Sequence, residues 1–361
     1  MRIGLIIYGS LATLSGGYLY DRMLVRQLET NGHAVQLFSL PWHGYARHLG
    51  DNLSTGWRRA LASATVDLML QDELNHPSLA WINPWLRGKV DYPLVSIVHH
   101  LRCREEHPAI LLPLYRWVER RYLNSLDAYL TNSQTTKTSV ISLLDRALPS
   151  RVAFPAADHL STREPAVHDE EIAARAGEHG PLRILFVGNV IQRKALHSVL
   201  AALGEVNRSA WRLSVVGRLD VDPRYVEQTQ QLAARLNFAS QIEFLGRLSD
   251  AALIDQYRRH HMLAVPSYEG FGIVYLEAMR FGLPVIAATA GAACEIVTSG
   301  VDGYLVNPGD TKALAGAINT LATDRVQLKT MSLAARARYE RHPTWAASMQ
   351  GAVTWLESMQ R

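Results

Sequence analysis

Residues 262–288 read MLAVPSYEGFGIVYLEAMRFGLPVIAA. Met262–Val265 and Val285–Ala288 are short apolar runs of the kind that form fully buried strands. Between them lie Pro266, a loop carrying Glu269, Gly270, Phe271 and Gly272, and a helical segment that starts near Gly272. Continuous apolar strands alternating with helices indicate a parallel sheet covered on both faces, because a parallel pair needs a long crossover. The alternation extends in both directions. Arg183–Val187, Arg212–Val216 and Ile242–Leu245 precede this unit. Ile3–Tyr8, Ala34–Phe38, Val66–Leu70, Leu94–Val98, Ala128–Thr131 and Arg151–Phe154 form an earlier series, with a first helix from about Gly17 to Asn31 stopped by Gly32. Between Ala156 and Pro181 the pattern fails, and the chain there is polar and charged with one short helical stretch.

The chain is therefore expected to be α/β and doubly wound twice over. The expected divisions are an N-terminal Rossmann-like domain over 1–160, a linker over 161–181, a C-terminal Rossmann-like domain over 182–342, and a helix over 343–361 packing back onto the first domain. A length of 361 residues suits two cores better than one. A composition of 48% hydrophobic and 19% charged residues excludes disordered, collagen-like and membrane-embedded classes. No apolar run approaches the ~20 residues of a spanning helix. Met1–Tyr8 has neither the charged start nor the length of a signal peptide, and Cys103 and Cys294 stand far apart. These features point to a cytoplasmic protein, with a peripheral place on the cytoplasmic membrane face left open. A net charge of +4 without a Lys/Arg block argues against a nucleic-acid partner.

The glycines of the 269–272 loop let the backbone approach a ligand closely, and unpaired N–H groups at a helix start bind phosphate oxygens. Glu277 follows about one turn into the helix, so carboxylates flank an anion site. That arrangement suits a nucleotide diphosphate sugar: acceptors for sugar and ribose hydroxyls on either side of phosphate donors. On spacing alone, the better reading of Glu277 is a helix-surface carboxylate, and of Glu269 a loop residue or helix-dipole partner.

With its flanking residues, E-G-F-G-x-x-x-x-E-A-M followed by G-L-P-V-I-A, the stretch resembles the retaining glycosyltransferases of family 4 (glycosyl transferases group 1). The resemblance covers nearly the whole chain and implies the GT-B fold, two facing Rossmann-like parallel-sheet domains with an interdomain cleft. It implies that Glu269, Gly270 and Phe271 contact the donor sugar, that Gly272 and Ile273 meet the diphosphate, and that Glu277 holds the ribose. LFVGNVIQRKAL, 185–196, matches the segment whose cations bind the donor diphosphate, here Arg193 and Lys194. Asn189 stands where arginine is common, and Ala195 where glycine is usual. Gly246, Arg247 and Leu248 match the loop that meets the nucleobase, chiefly through backbone.

In the first half, Ser15-Gly16-Gly17 resembles the family's Gly-Gly loop, which places Gly16 and Gly17 near the diphosphate; read alone, the pair is equally a plain turn. PLVSIVHHLRCREE, 93–106, aligns His99 with the family histidine that lines the reaction centre, with His100 as the alternative. Lys89, Arg102, Arg104 and His107 flank this loop as candidate acceptor contacts. The segment 109–123, AILLPLYRWVERRYL, mixes apolar, aromatic and basic residues, and reads either as an ordinary half-buried helix or as a peripheral membrane contact.

The resemblance implies transfer of a hexose from a nucleotide diphosphate sugar to a glycan, lipid or small-molecule acceptor, with retention and with the leaving phosphate taking the acceptor's proton. Without a clustered His/Cys set, neither a metal nor a cofactor is expected beyond the donor substrate itself. A sugar-nucleotide epimerase of the same architecture and a non-catalytic sugar-nucleotide-binding partner are the alternative classes.

Overall fold

The computed structural model describes residues 1–105, 107–160, 167–238 and 240–359. The chain forms two compact units, one made of residues 1–155 with 344–361 and the other of residues 156–343. Of the stretch expected as a linker, residues 161–166 lie outside the described residues, while Asp169–Gly177 is a helix of the second unit.

The first unit is built on β1 (Arg2–Tyr8), β2 (Ala34–Leu40), β3 (Leu68–Asp72), β4 (Leu94–Val98), β5 (Ala128–Thr131) and β6 (Ser150–Val152). They form one parallel sheet in the order β2-β1-β3-β4-β5-β6. Every residue of β3, β4 and β5 is buried, whereas the edge strands β2 and β6 are partly exposed. Covering both faces makes the inner strands mostly apolar runs, while the edges keep exposed positions. The strand expected at 66–70 runs two residues later. Asp67 takes the Arg2 backbone N–H on its carboxylate at 2.7 Å, and polar Gln71 is buried in the strand by reciprocal amide bonds with Asn83 at 3.0 and 2.9 Å.

The first helix, Gly16–Thr30, is capped by Ser15, whose hydroxyl accepts the Tyr18 N–H; Ser133 caps Gln134–Ile141 in the same way. The tail helix, Trp345–Glu357, packs on the first helix with the buried Trp345 edge-on to Tyr20 at 5.9 Å. Its Ser348 hydroxyl donates to the Phe154 carbonyl at 2.5 Å.

The second unit repeats the plan with β7 (Leu182–Val187), β8 (Trp211–Val216), β9 (Ile242–Gly246), β10 (Met262–Val265), β11 (Val285–Ala288) and β12 (Gly303–Val306). Their order is β12-β11-β10-β7-β8-β9, again parallel. β12 goes beyond the expected strands: GYLV is short and lies on an edge, with two of its four residues only half-buried, so it gives little apolar signal. Ala156, Ala157 and Leu160 are buried in this unit, and Arg280 donates to the carbonyls of Ala157 and Leu160 at 3.2 and 2.8 Å.

In each sheet the chain winds outward from one strand and then returns to that strand's other side. The switch falls between β1 and β3 in the first sheet and between β7 and β10 in the second. At such a point the two carboxyl-end loops diverge and leave a crevice for ligand. Among the described residues no helix is long and apolar enough to cross a membrane. Both cysteines are free thiols.

Candidate active site

In the second unit the loops after β7 and β10 bring three of the expected residues together. Lys194 donates its ammonium to Glu269 Oε1 at 2.5 Å, and Arg193 donates to the Tyr268 carbonyl at 3.1 Å. Ser267 adds a second donor to Glu269 Oε1 at 2.7 Å. The Lys194 and Glu269 side chains are only 15% and 12% exposed, so the pair is poorly screened. Burial would raise the Glu269 carboxyl, but the Lys194 and Arg193 charges and the two hydrogen bonds outweigh it and hold the group below its ordinary range. The main chain of Glu269 is pinned too, its carbonyl accepting the Ala292 N–H at 2.9 Å beside a bridge to Gly291.

Ala195, between the turn Gln192–Lys194 and the helix Leu196–Leu203, sits in the left-handed region at φ 56. This explains why glycine is usual there. Ala195→Gly is expected to stabilise the protein by ~0.5–1 kcal/mol, since relief of the left-handed strain exceeds the added chain entropy. A melting temperature equal to or below the wild type would contradict this account of the turn.

Gly272 precedes the helix Ile273–Arg280, which carries Glu277. Glu277 is held at both oxygens: Oε2 accepts from the Tyr257 hydroxyl at 2.7 Å, and Oε1 lies 3.3 Å from His159 Nε2. Tyr257 is itself stacked on Phe281 at 5.5 Å. The Phe271 ring is buried and packs against His342 at 5.9 Å, so this residue offers its main chain rather than its ring to a ligand. Gly246, Arg247 and Leu248 lie at the end of β9, two strands from β7 along the same carboxyl edge, with Arg247 exposed.

The first unit gathers a different set. His99 follows β4, and its Nε2 lies 3.2 Å from Oδ1 of Asp21, a fully buried residue of the first helix. A Cβ on Gly17 would stand 3.2 Å from His99 Cδ2, so glycine there lets the helix start lie against the imidazole. The His99 carbonyl accepts from the Asn132 amide at 2.8 Å. His100 turns elsewhere, its Nε2 2.9 Å from Glu105 Oε1. Of the candidate acceptor contacts, Lys89 lies over the Trp85 ring, Arg102 over Tyr45 and Tyr115, Arg104 donates to Ser142, and His107 Nε2 is 3.5 Å from Glu105.

Two described clusters bring metal-capable atoms within 4.8 Å of one another, Asp21–Asp72–His99 and Glu73–His76–Glu119. In the second, His76 Nδ1 faces the Glu73 carbonyl at 3.0 Å and so carries a proton there, while both Glu119 oxygens accept backbone N–H groups of Arg102 and Cys103. Those bonds make it an ion-pair network that ties down the loop after His100. Asp21, Asp72, Ser267, Tyr257 and His159 escaped the sequence reading. Asp21 alone carried a signal, four residues after Gly17 on the face that the helix buries.

Comparison with known proteins fits this geometry. The family described as "Glycosyl transferases group 1" matches residues 168–338. The D-inositol 3-phosphate glycosyltransferase of Rhodococcus erythropolis is 30% identical over 318 residues, covering 78% of this chain and 69% of that protein. This chain belongs to the group 1 glycosyltransferases. Among solved structures, the sucrose-phosphate synthase of Thermosynechococcus elongatus superposes on this glycosyltransferase with a TM-score of 0.83 at 21% identity, covering 99% of this chain and 98% of that one. Anabaena HepE in complex with UDP-glucose gives 0.76 at 22% identity, over 99% and 100% of the two chains. Both share its GT-B fold.

Proposed function

We propose that this group 1 glycosyltransferase moves a hexose from a nucleotide diphosphate sugar to a glycan, lipid or small-molecule acceptor, with retention at the anomeric carbon, as a family 4 enzyme. The observation that carries the reading is the convergence of Arg193, Lys194 and Glu269 beside the Gly272 helix start, at the switch between β7 and β10. As the anomeric bond breaks, negative charge grows on the diphosphate. Arg193, Lys194 and the N–H groups at the helix start meet that charge in fixed positions. Lys194 rests on Glu269, so a donor phosphate meets a cation already held in place. Glu269 accepts hydroxyls of the sugar and Glu277 those of the ribose, the latter aimed by Tyr257 and His159. His99 takes the part of the family histidine that lines the reaction centre, as the resemblance implies, and the departing phosphate accepts the acceptor's proton on the same face.

The HepE complex holds UDP-glucose, which makes a uridine donor the first to try. Thermal shift with UDP, GDP and ADP and their glucose or mannose adducts tests the reading. One base at ~100 times its dissociation constant should add ~2.7 kcal/mol, or roughly 5–10 °C. A flat panel removes the donor assignment. Exposed Ile110, Leu114 and Trp117 beside exposed Arg116 and Arg120 suit a lipid-borne acceptor at an anionic membrane face, and binding to anionic vesicles separates this from a soluble acceptor.

A further inference from the structure

His99 is constrained on each side that the structure describes. The start of the first helix lies against the ring at Gly17, where a Cβ would stand 3.2 Å from Cδ2. Tyr20 meets it edge-on at 5.1 Å, and its carbonyl accepts from Asn132 and, at 3.4 Å, from Thr136. Asp21 faces Nε2 at 3.2 Å, and the Asp21 side chain has no solvent exposure. A buried carboxylate is costly unless a charge and hydrogen bonds compensate it. Asp21 Oδ2 has no hydrogen-bond partner among the described residues, so the compensation falls on the single contact to His99. Among the described residues, the cation paired with Asp21 is this imidazole.

We propose that Asp21 is a positioning residue of the reaction centre: its carboxylate fixes the His99 ring through Nε2 and keeps it a doubly protonated hydrogen-bond donor. With Nε2 committed to Asp21, Nδ1 is the nitrogen left for an incoming oxygen, and in an imidazolium it can only donate. A ring in that state orients a sugar hydroxyl or meets negative charge. It cannot take a proton from the acceptor, so it is not the base that an inverting displacement would need. This rests on the reading that His99 lines the reaction centre.

The ionisable groups around His99 agree with the geometry. Asp21 and Tyr20 face it from the first helix, Asp72 and Glu73 from the end of β3, and the neutral Asn132 and Thr136 from beyond β5; His100 in its own loop is paired with Glu105. Burial opposes a charge on His99, but the Asp21 hydrogen bond and the charges of Asp21, Asp72 and Glu73 outweigh it and push the ring up to about 9. Burial and the Asp21 charge push Asp72 up to about 7. Near neutrality, then, His99 is held as an imidazolium.

The test is a nitrogen-15 NMR titration of histidine-labelled full-length protein, with His99→Gln to assign the signal, on the wild type and Asp21→Asn. Asparagine keeps the shape of the side chain and removes its charge. In the wild type, His99 should stay doubly protonated at pH 7.5. In Asp21→Asn it should titrate at least one pH unit lower. Turnover of the nucleotide sugar selected by the thermal panel should then fall at least tenfold at pH 8 and recover as the pH is lowered toward 6, because acid restores the imidazolium. A merely structural Asp21 would lower activity equally at every pH. A neutral His99 at pH 7.5 in the wild type overturns the proposal without any variant, and so does an unmoved titration in Asp21→Asn. A lowered titration with a wild-type pH profile instead overturns the placement of His99 in the reaction centre.

Discussion

Glu269→Gln is expected to lose about 10²–10³-fold in transfer while the protein keeps its fold. Two donors, Lys194 and Ser267, converge on Glu269 Oε1 at 2.5 and 2.7 Å, and the carbonyl of the same residue is tied to Ala292. An amide at this position cannot serve them as a carboxylate does. With its oxygen toward Lys194 it loses the charge, and with its nitrogen there it sets donor against donor. The loss should appear in turnover more than in donor affinity, because the carboxylate orients the sugar as its anomeric carbon becomes electron-poor. Stability should fall modestly near neutrality, where a poorly screened pair is lost, and the drop is limited because Lys194 keeps some access to water. The sign with pH is fixed. A carboxyl held below its ordinary value stabilises the fold above the unfolded value, 4.5 for this group, and that contribution fades as the pH falls through the lower folded value. The variant should therefore match the wild type most closely in acid. Steady-state transfer and melting curves between pH 4 and 8 check both halves, and wild-type turnover by the variant would sink the role given to Glu269.

Gly291→Ala should be strongly damaging beside Glu269. Gly291 has φ +79, and a Cβ there would stand 2.2 Å from the Glu269 carbonyl oxygen. Alanine meets two costs together, left-handed backbone strain and a backbone clash that no rotamer relieves. The sum is about 3 kcal/mol, or roughly 10 °C in melting temperature for a unit of this size. The only relief is to move one loop away from the other. That breaks the Ala292-to-Glu269 bond and drags the carboxylate off Lys194, so transfer should fall along with stability. Gly309→Ala is the control, because that glycine also has positive φ (+78) but its Cβ would meet nothing within 4 Å. If both variants melt alike, backbone strain alone is at work and the clash at Glu269 is irrelevant.

Legibility in the sequence followed the range of the interactions. β4, β5, β10 and β11 lie at the expected residues because each is a short, mostly apolar run bounded by turn residues. β3 is displaced because Gln71 and Asp72 are strand residues whose polarity is satisfied only by partners in the folded chain. Arg193, Lys194 and Glu269 stand in local glycine, turn and helix contexts that motifs describe well. That Lys194 rests on Glu269, 75 residues away, is a product of how β7 and β10 pair.

The amino-acid order alone determined the two-sheet architecture, the loops at the carboxyl ends of the strands and the residue types offered there, because apolar runs, caps and glycines act over a few residues. Only the tertiary structure decided which charges meet. Asp21 looks like any helical aspartate until folding buries it 78 residues from His99, and Tyr257 is an ordinary tyrosine until its hydroxyl reaches Glu277. Burial gives such pairs their consequence: water is excluded, the local dielectric falls, and a single hydrogen bond then sets the protonation of a ring.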